Sequence, residues 1–195
     1  PQPPTGVESD RPPAGDSYRV VVGVDDLQSD GVYYATAFDR PTAICGPIVV
    51  TLWITCTTLD ADLFVLLMDL DVEGRAQFLQ RGMLRASHRE LDEKISEWAA
   101  VDGNKILIRP HHPHTDPRPL TPGKPHRLEI EVFPVGHVFR RGHRLALRIS
   151  QPPLADPVAY SRKGEPSYTY ASAQPPGIVT ILRDVDHSSS ILLPI

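Results

Sequence analysis

Apolar and polar positions alternate with a period of two in several short runs, and the clearest two lie within residues 119–150. In the first, Leu128, Ile130 and Val132 alternate with Arg127, Glu129 and Glu131. In the second, Leu145, Leu147 and Ile149 alternate with Arg144, Ala146 and Arg148. Successive side chains of a strand point to opposite faces, so each run predicts a strand with one face buried and one in water. Gly142 stands just before the second run, where a chain reverses. The two together predict a pair of half-buried antiparallel strands.

The remaining runs fit around this pair. Residues 48–57 place Ile48, Val50, Leu52, Ile54 and Cys56 on one face and Val49, Thr51, Trp53, Thr55 and Thr57 on the other. The second, semi-polar face suits solvent or another domain. Residues 63–68, LFVLLM, are apolar on both sides and predict a central strand covered from both faces. Runs at 18–24 and 32–38 predict edge strands, and 178–182 and 190–193 supply the last ones. After the DVEGR turn, where Gly74 can take a positive φ, residues 76–79 and 82–87 continue the sheet. One stretch, 89–104, carries a helical spacing in Leu91, Ile95 and Trp98, with Gly103 to end it.

The 21 prolines fall mostly between these runs, where they stop helices and end strands. The prediction is an all-β fold, a jelly-roll β-sandwich of the galactose-binding-domain-like kind, with one short helix and long proline-rich loops. Residues 1–16, with five prolines in the first thirteen positions, read as a linker or strap, and 17–195 as the sandwich. The chain opens on Pro rather than Met, which suggests a fragment or a processed product.

Composition narrows the class. With 24 acidic against 20 basic residues there is no basic footprint for nucleic acid or an anionic membrane, so neither is expected as a partner. No apolar run approaches the roughly 20 residues that span a bilayer. Cys45 and Cys56 form no C-x-x-C pair, and Cys56 shares the apolar face of its strand, so a buried free thiol is expected there. Few cysteines and no leader suit a cytoplasmic location.

Candidate chemistry is sparse. The G-x-S-x-G elbow of an α/β-hydrolase is absent, as are its alternating βα units, so no catalytic residue is expected in this chain. His111, His112 and His114 sit on a proline-rich loop without the spacing of helical zinc sites, and read as structural. Asp60 and Asp62 precede the 63–68 strand and Asp69 and Asp71 follow it, too far apart to share one calcium ion. An ion pair of Asp60 or Asp62 with Arg144 or Arg148 is expected instead. Arg140, Arg141, His143 and Arg144 read as a solvated basic turn, and Trp53, Trp98, Tyr160, Tyr168 and Tyr170 as packing residues unless exposed. Neither metal nor cofactor is expected.

Several segments carry a resemblance. PLTPG, FPVGHVFRRGHRL and the strand after it, the stretch from Gly46 to Ala76, GMLRASHRE at 82–90 and the closing DVDHSSSILLPI occur in the order seen in one family. The ordered set resembles the C-terminal β-sandwich domain of the X-prolyl dipeptidyl aminopeptidase and cocaine esterase group of serine hydrolases, over roughly residues 32–195. The resemblance implies a non-catalytic domain that packs on an α/β-hydrolase catalytic domain of the same polypeptide and helps form a pocket for a small ester or prolyl peptide. It places Leu52 and Trp53 where the sandwich approaches that pocket, and His112 and His114 at the loop or the domain interface. The chain departs from the pattern at Cys56 and Thr57, where relatives have a serine pair, at Ala61 within the usual D-T-D, and at QPPLADPVAY after the last strand of the pair. The alternative is a free-standing carbohydrate-binding module, which would show an exposed row of aromatics.

Overall fold

The structure, a computed structural model, describes residues 15–20, 31–151 and 176–195. Eleven strands fall within them: β1 (Gly15–Val20), β2 (Gly31–Ala37), β3 (Thr42–Cys56), β4 (Asp62–Leu70), β5 (Ala76–Arg85), β6 (Glu97–Val101), β7 (Asn104–Arg109), β8 (His126–Phe139), β9 (Arg144–Ser150), β10 (Gly177–Leu182) and β11 (Ser190–Leu192). The main path runs β1-β10-β3-β8-β5-β4-β9-β2, with β11 also on β3, while β6 and β7 form a separate hairpin. Every pairing is antiparallel. The first and second strands are the two edges of the path, as their weak apolar runs predict; of the expected 1–16 strap, Gly15 and Asp16 already belong to β1, while residues 1–14, residues 21–24 of the first run and 152–175 lie outside the described residues.

The path folds into a sandwich at one point. The ladder between β8 and β5 is reduced to one pair, Gly82 and Val132. A side chain at Gly82 would place its Cβ 2.1 Å from the Glu131 carbonyl oxygen, so only glycine permits this approach. From this corner one layer, β3 and β8 with β10, β11 and β1, lies over the other, β5, β4, β9 and β2. Val50, Leu52, Ile54, Leu128, Ile130 and Val132 from the first belong to one core with Leu63, Val65, Leu67, Leu145, Leu147 and Ile149 from the second. Period-two patterning in both layers makes this possible. β3 runs through Pro47 because its register shifts between Gly46 and Ile48, a bulge that tolerates a residue without an amide hydrogen.

Two expectations are corrected. The runs at 127–132 and 144–149 are strands but not partners: β8 pairs with β3 and β5, and β9 with β4 and β2. The turn at Gly142 carries the chain from one layer to the other. Nor is β9 half-buried, since Leu145 through Ser150 are all buried. The expected helix over 89–104 is also absent. The Asp92 carboxylate accepts from the amides of Lys94 (3.0 Å) and Ile95 (3.3 Å), and its carbonyl from Ser96 (2.9 Å), closing a turn. β6 and β7 follow, joined by Asp102 (φ 49°) and Gly103 (φ 77°), the left-handed pair that a tight hairpin turn needs. The only helical element among the described residues is the single 3-10 turn Ala86–His88.

Candidate functional site

Alternation along β3 sends Leu52 and Trp53 to opposite faces. Leu52 is 2% exposed and belongs to the core, whereas Trp53 stands half-buried on the outer face. Trp53 is braced from the connection between β10 and β11. Its amide donates to Ser189 Oγ at 3.0 Å, and that hydroxyl donates to the Leu182 carbonyl at 2.8 Å. The His187 ring meets the indole edge-on, 5.0 Å between centroids. His187 is held in turn by Asp184, whose Oδ1 lies 2.8 Å from the ring nitrogen and 2.9 Å from the amide of the same residue. Desolvation acts to raise the Asp184 pKa, but the hydrogen bonds from the His187 ring and from the amides of Asp186 and His187 outweigh it and hold the carboxyl below its usual range.

Beside Trp53 the outer face of β3 and β8 hollows into a groove of about 560 Å³ under the β6–β7 hairpin. Val49, Thr51 and Glu129 line it together with Trp98 and Leu107, and Arg127, the residue opposite Trp53, lies at its edge. Glu129 is 7% exposed; burial pushes its pKa up, against the pull of Arg127, whose Nε is 2.7 Å away, and of His112. Trp98 does not offer a bare ring, since Lys105 Nζ lies 4.3 Å from its centroid. Tyr160, Tyr168 and Tyr170 fall outside the described residues.

His112 and His114 have neighbours of their own. The His112 ring lies between two carbonyls, Glu90 at 3.1 Å from Nδ1 and Glu129 at 2.8 Å from Nε2, and so ties its loop to β8. His114 is exposed, takes a left-handed φ of 54°, and sits 5.2 Å from the His88 ring and 6.0 Å from His112. Desolvation, then the charges of His88, His112 and His111, lower its pKa.

The acidic residues find partners other than those expected. Asp62 makes a two-pronged pair with Arg85, at 2.7 and 2.9 Å, because Arg85 is directly opposite on β5. Asp60 accepts from the amides of Ala61 and Ser87 and from the Ser87 hydroxyl at 2.6 Å, capping the 3-10 turn. Arg144 and Arg148 are both on β9; Arg148 is buried, with its guanidinium 5.7 Å from the Tyr33 ring centroid. Asp71 closes the 71–75 turn onto Arg75.

A cluster unforeseen in the sequence joins the two layers at the other end. Asp69, 3% exposed, accepts from His137 Nε2 at 2.8 Å and from His143 Nδ1 at 2.9 Å. His143 therefore turns inward rather than standing in a solvated basic turn. The three residues line a cleft of about 330 Å³ with Arg75 and Arg140. No group of three or more metal-ligating side chains that could hold an ion occurs among the described residues, and no helix among them is long and apolar enough to cross a membrane. Cys56 is buried as expected, and Cys45 is exposed.

The described residues form a corner-folded β-sandwich with Trp53 on its outer face. The chain belongs to the family of X-Pro dipeptidyl-peptidase C-terminal non-catalytic domains, whose family model matches residues 8–191. A Mycobacterium bovis protein bearing the name serine esterase is 34% identical over 118 residues, which is 60% of this chain and 18% of that protein. In fold the chain is similar to a CocE/NonD family hydrolase from Staphylococcus aureus, with a TM-score of 0.76 and 23% identity over 93% of this chain and 32% of the other. It is also similar to an α-amino acid ester hydrolase, with a TM-score of 0.64 and 17% identity over 99% of this chain and 34% of the other. The chain thus spans under a fifth of that curated relative and about a third of these solved hydrolases.

Proposed function

We propose that this chain packs on an α/β-hydrolase-type catalytic domain of the same polypeptide and helps wall its pocket, for which the substrate is a small ester or a prolyl peptide. Trp53 is the residue that reaches across. The observation that carries this reading is the outward indole fixed from two directions, by Ser189 on its backbone and by His187 on its ring. A half-buried tryptophan so constrained loses little freedom on docking, and covering its remaining surface contributes on the order of 2 kcal/mol. The hydrolases of known structure in which this fold makes up about a third of the chain support the same reading. His112 holds the loop that presents His114, and His114 contributes to the domain interface.

Trp53→Ala in the full-length enzyme tests the assignment. The expected result is a change of about tenfold or more in kcat/KM, uneven between substrates of different acyl or prolyl size, or a weakened docking seen as separate unfolding of the two domains. Unchanged kinetics together with unchanged unfolding would refute it.

A further inference from the structure

The two layers do not close on each other everywhere. Where β2 faces β11, the space between them holds a cavity of about 200 Å³, walled by Tyr34, Val50, Leu52, Leu147, Ile149 and Ile191. These walls come from four strands and both layers, so the space is a half-open cleft that reaches the core between the layers. Arg183, Ser189 and Ser190 form its rim.

The Tyr34 and Ser189 hydroxyls at the rim are already engaged. The Tyr34 hydroxyl donates to Asp16 Oδ2 at 2.9 Å, and Arg183 Nε meets the same oxygen at 2.8 Å, with the guanidinium 5.4 Å from the Tyr34 ring centroid. Burial, then the bond to Asp16, pushes the Tyr34 pKa upward, so its proton stays in place. Ser189 Oγ is occupied by the Trp53 amide and the Leu182 carbonyl. Water entering such a space finds few partners, and a charged ligand would surrender its hydration with little in return. Apolar cavities of about 150 Å³ stay dry and take up benzene.

We propose that this cavity is a binding site for a small uncharged apolar molecule, a single aromatic ring or a short branched alkyl group. Its size excludes larger ligands, and its apolar walls offer an acid or an amine little to replace lost hydration. The site is distinct from the proposed docking contact but mechanically joined to it. Ser189 lines the cavity and also accepts from the Trp53 amide, so an occupant stiffens the Trp53 corner.

Fluorobenzene titrated into the full-length protein and followed by 19F NMR tests the proposal. Saturable binding is expected, weakened at least tenfold by Ile191→Trp, which fills the cavity from its half-buried side. Ser190→Trp covers the mouth from an exposed position and carries the test if the first variant does not fold. Fluorobenzoate is expected to bind at least tenfold more weakly than fluorobenzene. No saturable binding, or binding unchanged in a folded variant, overturns the site; fluorobenzoate binding as tightly as fluorobenzene overturns the assignment to uncharged ligands.

Discussion

The two ends of the sandwich use their polar residues differently. At one end Asp69 from β4, His137 from β8 and His143 from the β8–β9 turn close on one another, and the partners come from opposite layers. At the other, Asp60 and Asp184 spend their hydrogen bonds on the connecting segments around them, Ser189 ties its segment to β3 and β10 of one layer, and Trp53 is left facing out. Polar groups satisfied across layers hold the layers together, whereas polar groups satisfied within loops or within one layer fix a surface. The first end is built for cohesion and the second for presentation.

Breaking the cohesive end should cost most. Asp69→Ala leaves two imidazoles without the acceptor that orients them, and is expected to lower stability by about 3 kcal/mol or more in chemical denaturation. A loss under about 1 kcal/mol would mean that the cluster does not hold the layers together. Asp60→Ala should cost less, about 1–2 kcal/mol, because it removes a cap from one short turn. An equal or larger loss than at Asp69 would erase the distinction between the ends.

Glu129, on the outer face between them, sharpens the comparison through pH. Its pKa is raised by burial, so its protonated form is the better folded one. The stability this confers is present below the ordinary carboxylate range and is lost as pH rises through the raised value. Glu129→Gln, which cannot ionise, is therefore expected to gain on the unmodified protein as pH climbs from that range toward neutrality. Parallel stability curves for the two proteins across that interval would show that Arg127 compensates the burial in full.

Much of this arrangement was legible in the sequence. The apolar face of β3, the burial of Phe64 and Leu66 on one side of β4 and of Leu63, Val65 and Leu67 on the other, and the outward turn of Trp53 follow from periodicity. So does the buried Cys56 thiol. Pairing did not follow, because alternation says which side of a strand is apolar but not which strand lies next to it. For the same reason Asp62 was expected to reach β9 when Arg85 faced it on β5. The Leu91, Ile95 and Trp98 spacing imitated a helix, yet Ile95 is 58% exposed, and Asp102-Gly103 held the hairpin signal that should have prevailed. The Asp69 cluster joins β4 to the end of β8 and its following turn, some seventy residues away, and no local pattern could announce it.

The position of β3 bears on how the protein is made. Its partners β8, β10 and β11 all come later in the chain, and β8 is separated from it by four other strands. Pairing over such sequence distances is slow, because the intervening loop must be closed before any contact repays the loss of freedom. During synthesis β3 therefore leaves the ribosome with its edges open, and the nascent chain is most vulnerable to association with its neighbours until β8 emerges.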